Sequence, residues 1–78
     1  MKIRLFRETE YSGTPAQIAE KMNLASRFPE TNYQDYLRGF AHRFNEFFPK
    51  DARIRYATAE QFIADLENVG IAEIIERD

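Results

Sequence analysis

The chain has no cysteine and no tryptophan, a single histidine, and only three glycines and three prolines in 78 residues. Each shortage closes a class of function. Without cysteine there is neither a disulfide framework nor a thiolate zinc site, and a reducing compartment suits the chain. His42 has no second histidine or cysteine with which to share a metal, and the carboxylates lack the spacing of a calcium loop. The glycines form no phosphate-cradling loop, Ser12 and Ser26 are the only serines, and no pair of carboxylates stands in an apolar run. No catalytic residue, metal or cofactor is therefore expected, and the chain does not read as an enzyme. Long hydrophobic runs are missing too. The opening residues, MKIRLFR, carry a charge at nearly every second position, unlike the apolar centre of a signal peptide or a spanning segment. A cytoplasmic protein without membrane contact is the expectation.

What is present is globular. Hydrophobic residues make up 44% and charged residues 31%, and seven phenylalanines and four tyrosines supply much of the apolar surface available for burial. A chain of this length is expected to form one domain, residues 1 to 78, with a modest core. The net charge of −2 hides an asymmetry. Residues 1 to 56 hold ten Lys or Arg against seven Asp or Glu, whereas residues 57 to 78 hold Arg77 against six acids.

Three times the chain writes Thr-x-x-Gln ahead of helical spacing: Thr14 to Gln17, Thr31 to Gln34 and Thr58 to Gln61. In such a capping box the threonine oxygen accepts from a first-turn amide and the glutamine reaches back to the cap residue. The first helix has Pro15 at its first position and Ile18, Met22 and Ala25 on one face. The second opens at Thr31 or Asn32 and carries one broad stripe of Tyr33, Tyr36, Leu37, Phe40, Phe44, Phe47 and Phe48, closed by Pro49. The third presents Phe62, Ile63, Leu66 and Val69, and Gly70 is placed to end it in the left-handed conformation. Alternation predicts strands over residues 2 to 8, 52 to 57 and 71 to 76, with residues 10 to 13 as a turn. The expected fold is α+β, three helices on a small sheet of about three strands in the order β-α-α-β-α-β, residues 52 to 76 forming a parallel crossover.

Two candidate sites follow. Lys2, Arg4, Phe6, Arg53 and Arg55 all fall on the outward side of predicted strands, a basic face bearing an aromatic that suits an acidic protein surface or a phosphate backbone. Cations that guard exposed strands against aggregation would give the same pattern. On the second helix Asp35, Arg38, His42 and Glu46 run along the polar side, a titratable ladder or simply a solvated face. Phe47 and Phe48 are adjacent, so one helix face cannot bury both equally, and an interface could claim one of them. Gly39 is out of place in mid-helix, where it costs about 1 kcal/mol against alanine. A close approach of the first helix or of another chain would account for it.

Residues 14 to 24, TPAQIAEKMNL, resemble the first half of a helix-turn-helix, with Ile18 and Ala19 at the usual buried positions and Asn23 where the turn often has glycine. The second half departs from that pattern, because residues 27 to 30 stand where a recognition helix should begin and the surface is not strongly basic. Over nearly the whole chain, the succession of a short strand, YSGTP at 11 to 15, an aromatic middle helix with Arg43 near its end, and AEQFIADL before Gly70 is similar to small proteins of bacterial genomes and mobile elements. Their function is not established, so the resemblance implies a bacterial cytoplasmic setting and no mechanism. The expected role is a non-enzymatic binding or accessory module whose partner is another protein or a second copy of the chain. The alternative is nucleic-acid binding through the basic strand residues or the helix-turn-helix-like segment.

Overall fold

A computed structural model describes residues 1–77. They form β1 (Lys2–Leu5), β2 (Thr9–Ser12), α1 (Pro15–Ala25), α2 (Tyr33–Phe47), α3 (Ala59–Asn68) and β3 (Ala72–Glu76). The class is α+β, as expected: α1 and α3 pack on a three-stranded sheet ordered β2-β1-β3, and α2 packs on those two helices. Both pairings are antiparallel, with Ile3 opposite Tyr11 on one side and Ile74 on the other, and Leu5 opposite Thr9 and Ala72.

The placement of the second strand differs from expectation. Residues 10 to 12, expected to belong to a turn over 10 to 13, lie instead in β2 and pair with β1 as a hairpin. Residues 52 to 57 form no strand, and the parallel crossover is absent. Ile54 is buried as its alternation implied, but its backbone bonds go elsewhere. The Ile54 amide donates to Asn45 Oδ1 at 2.8 Å, and Asn45 Nδ2 donates to the Ile54 carbonyl at 3.2 Å. The next amide, of Arg55, donates to Asp65 Oδ2 at 2.8 Å. Two side chains thus satisfy the donors and acceptor that a neighbouring strand would have taken.

The helix starts repeat one device with one exception. At Thr14 the box is complete: the Gln17 amide donates to Thr14 Oγ1 and the Thr14 amide to Gln17 Oε1. At Thr58 only half of the box forms, the hydroxyl accepting from the Gln61 amide at 3.1 Å. The box expected from Thr31 and Gln34 does not cap α2. Asn32 takes the cap, its Oδ1 accepting from the Asp35 amide at 2.9 Å, and Asp35 in the first turn also suits the positive end of the helix dipole. Gly70, with φ of 85°, ends the third helix region in the left-handed conformation as expected.

The core joins Ile3 and Leu5 of the sheet to Ile18, Ala19 and Met22 of α1, Leu37 and Ala41 of α2, Phe62, Ile63 and Leu66 of α3, and Ile54. Among the described residues Asn23 is the one buried polar residue. Rather than marking a turn, it lies within α1, and its amide both accepts from the Glu30 amide at 2.8 Å and donates to the Glu30 carbonyl at 3.0 Å. Asn23 and Asn45 are therefore equivalent clamps, each fastening the loop that follows its helix. The first loop, seven residues between α1 and α2, is longer than the turn of a helix-turn-helix. No helix among the described residues is long and apolar enough to cross a membrane.

Candidate functional site

The sheet's outward face carries Lys2 and Arg4 of β1, but Glu10 of β2 and Glu73 of β3 stand beside them. Arg4 pairs with Glu10 at 2.9 Å and with Glu73 at 3.5 Å, and Lys2 approaches Glu10 at 3.5 Å. The hydrogen bond from Arg4 holds the Glu10 carboxyl below its usual range; desolvation opposes it, and the charges of Lys2 and Arg4 add smaller effects in the lowering sense. Arg53 and Arg55 are not on this face, since their segment is not in the sheet. Arg55 is turned to α3, where its Nε and Nη2 reach the two oxygens of Asp65 at 2.9 and 3.0 Å. These bonds, with the Arg55 amide, keep the Asp65 carboxyl below its usual range although desolvation opposes them. Arg53 lines a shallow concavity with His42, Asn45 and Glu46. The five residues grouped by sequence as a basic sheet face are thus dispersed, and folding pairs cations of the first part of the chain with acids of the last.

The second group divides as well. Arg38 is paired with Asp35 at 2.6 Å on the exposed side of α2. His42 lies 3.2 Å from the Tyr56 hydroxyl, the rings edge to face at 5.3 Å. Phe47 and Phe48 point elsewhere. Neither joins the core, as their relative exposures of 73% and 53% show.

Phe6 completes the picture. β1 stops at Leu5, and Phe6 and Arg7 take φ of 51° and 61°, the two left-handed positions of a tight hairpin turn closed by the Glu8 amide on the Leu5 carbonyl at 2.9 Å. Asn-Gly is the usual occupant of such a pair of positions, and a bulky side chain there is strained by about 1–2 kcal/mol. The Phe6 amide is fastened to the Ile71 carbonyl at 2.9 Å, and its ring remains 62% exposed. Strain is thus accepted for a side chain that contributes little to the core.

The ring lines a groove with Phe40, Arg43, Phe44, Phe47, Phe48, Asp51, Val69 and Ile71, a concavity of about 570 Å³. Phe44 and Phe48, one turn apart at the α2 end, hold their rings 5.0 Å apart and tilted by 32°. A second concavity of about 480 Å³, lined by Arg27, Phe28, Glu30 and Tyr36, shares Phe40 and Arg43 with the first. The two concavities adjoin beside α2 at Phe40 and Arg43, an aromatic groove in two halves. Burial holds the Tyr36 hydroxyl above its usual range, the charge of Tyr11 acts in the same sense, and the positive charge of Arg43 opposes them.

Sequence reasoning found Phe6, Phe47 and Phe48 but assigned them to separate sites. It missed Arg27, Phe28 and Asp51, which come from loops. The i, i+4 series Phe40, Phe44, Phe48 was the available signal, since its last member falls past the helix end where the core cannot follow. Among the described residues no group of three or more His, Asp or Glu could hold a metal ion. Compared with known protein families, curated proteins and solved structures, the chain matches none, so a functional reading rests on its own residues.

Proposed function

We propose that the protein is a non-enzymatic binding module of the cytoplasm that receives another protein chain in the aromatic groove along α2. The supporting observation is the convergence of Phe6, Phe47 and Phe48, all more than half exposed, on one apolar concavity. Small folded proteins rarely leave several large apolar side chains together in water unless a partner covers them, and buried aromatics dominate the energy of such contacts. The strained turn that displays Phe6 supports the same reading, because local strain tends to persist where a site requires it.

Nucleic-acid binding through the sheet face loses its platform, for Lys2 and Arg4 lie against Glu10 and Glu73. The testing experiment places a photo-crosslinking amino acid at position 47, or at Ser12 on the opposite side as control, and irradiates extract of the native cell. A discrete protein adduct from position 47 and none from position 12 is expected. A self-adduct would make the partner a second copy. Adducts to nucleic acid, or none to protein at either position, would end the reading.

A further inference from the structure

Gly39 lies on α2 at a point where no other element comes near. A methyl group built there would meet only Arg43 Nη1, at 3.2 Å. The close approach that its presence called for is therefore not made by α1 but by the arginine one turn later in the same helix. Helical side chains lean toward the N-terminus, so Arg43 lies back over the bare backbone of Gly39 toward Tyr36. This lays the guanidinium at the junction of the two halves of the groove, whose linings share Phe40 and Arg43.

Among the described residues Arg4, Arg38, Arg55 and Arg77 each hold a carboxylate within 4.0 Å, whereas Arg7, Arg27, Arg43 and Arg53 hold none, and of these Arg27 lies over the Phe28 ring at 5.7 Å. Arg43 has no such ion pair among the described residues, though Asp51 and Glu30 line the two ends of the groove.

We infer that Gly39 is retained to seat Arg43, and that Arg43 receives an aspartate or glutamate of the partner, set between two apolar side chains that fill the halves of the groove. This rests on the protein-binding reading above. The charges decide the class of anion. The two guanidiniums of the lining, Arg27 and Arg43, are balanced by Glu30 and Asp51, so neither stands in a surrounding positive field. A fork suits a single carboxylate in two-point contact, whereas a phosphate dianion or nucleic-acid backbone calls for several cations. The dimensions fit a short segment: Tyr36 to Phe47 spans about 16 Å of helix, the length of roughly five extended residues.

The test is selection of a displayed random 12-residue peptide library on the intact protein, followed by affinity measurements with synthetic peptides. Enriched sequences are expected to hold Asp or Glu flanked within two or three residues by apolar side chains on both sides. Arg43→Gln, and replacement of the peptide acid by its amide, should each weaken binding about tenfold or more. Gly39→Ala should raise the thermal midpoint by a few degrees through helix propensity and yet weaken binding, a divergence that a purely structural role would not produce.

Enriched peptides that lack an acid, or that bind Arg43→Gln within twofold of the parent, would overturn the carboxylate assignment. If they were lost with Phe47→Asp, the groove itself would stand as the binding site. Undiminished binding by Gly39→Ala would overturn the glycine's role. Failure to enrich any peptide whose amide shifts fall on Phe6 and on residues 40 to 48 would count against both this inference and the protein-binding reading.

Discussion

α3 and α2 use aromatic and aliphatic residues at the same helical spacing and reach opposite outcomes. In ten residues α3 buries Ala59, Phe62, Ile63 and Leu66, whereas α2 in fifteen buries only Leu37 and Ala41. Phe62 is fully enclosed, its ring edge to face with Phe40 at 5.3 Å, while Phe47 lies largely in water. The difference is in what stands opposite. α3 packs against β3 and α1, so its stripe meets apolar surface along its length, but α2 packs on α1 and α3 alone and, among the described residues, approaches no strand, which leaves its last turn uncovered. A periodic stripe therefore states which residues a helix offers for burial and not which of them the fold covers.

The sharpest way to break that comparison is to truncate one phenylalanine from each helix. Phe62→Ala should destabilise by about 3–5 kcal/mol, and Phe47→Ala should stay within about 0.5 kcal/mol of the parent, both read by urea denaturation. Equal losses would mean that the end of α2 is core after all. Next in size are the asparagine clamps, which hold the loops around these two regions. Asn23→Ala or Asn45→Ala should cost about 1–3 kcal/mol, since each deletes a donor and an acceptor that leave backbone groups unpaired. Hydrogen exchange should show faster opening at Glu30 or Ile54 respectively, and no change there would remove the clamp from the account.

A smaller effect of opposite sign is expected at the hairpin. Replacing Phe6 and Arg7 by Asn-Gly should stabilise the fold by about 1 kcal/mol, because the turn's backbone suits those residues, while removing one wall of the groove. A loss of stability would show that Phe6 packs into the fold and is not held out for a partner. The smallest effect concerns Asp65, which ties α3 to the segment after α2. Its carboxyl titrates lower in the folded than in the unfolded chain, so its contribution is present above the unfolded value of about 3.9 and disappears as pH falls through the folded one. Asp65→Asn should accordingly flatten the decline of the urea midpoint below about pH 4. An unchanged decline would assign it to Glu10 and the other acids.

Much of this architecture was legible in the residues. The caps at Thr14 and Thr58, the burial of Ile3 and Leu5, and the left-handed Gly70 followed from spacing and residue type. The second helix began at Asn32 and not with the Thr31 box because two neighbouring residues could each cap, and sequence does not rank them. The strand at 9 to 12 escaped notice because its partner, not its own composition, makes it a strand. Residues 52 to 57 misled for the converse reason, having the alternation of a strand but side-chain partners for their backbone. Ile74 packs against the core opposite Ile3, while Ile75, at the register irregularity between Lys2 and Ile3, is exposed.

The chain by itself determined two of the three helix starts, the apolar faces and the absence of thiol chemistry, all of which depend on residue identity or on interactions within about one helical turn. Only the tertiary structure decided that Phe6 belongs with Phe47 and Phe48, that Arg4 and Arg55 are occupied by acids, and that Arg43 is not. Those outcomes depend on which distant segments share a surface, and that is set by how the sheet and helices pack, a property no local pattern contains.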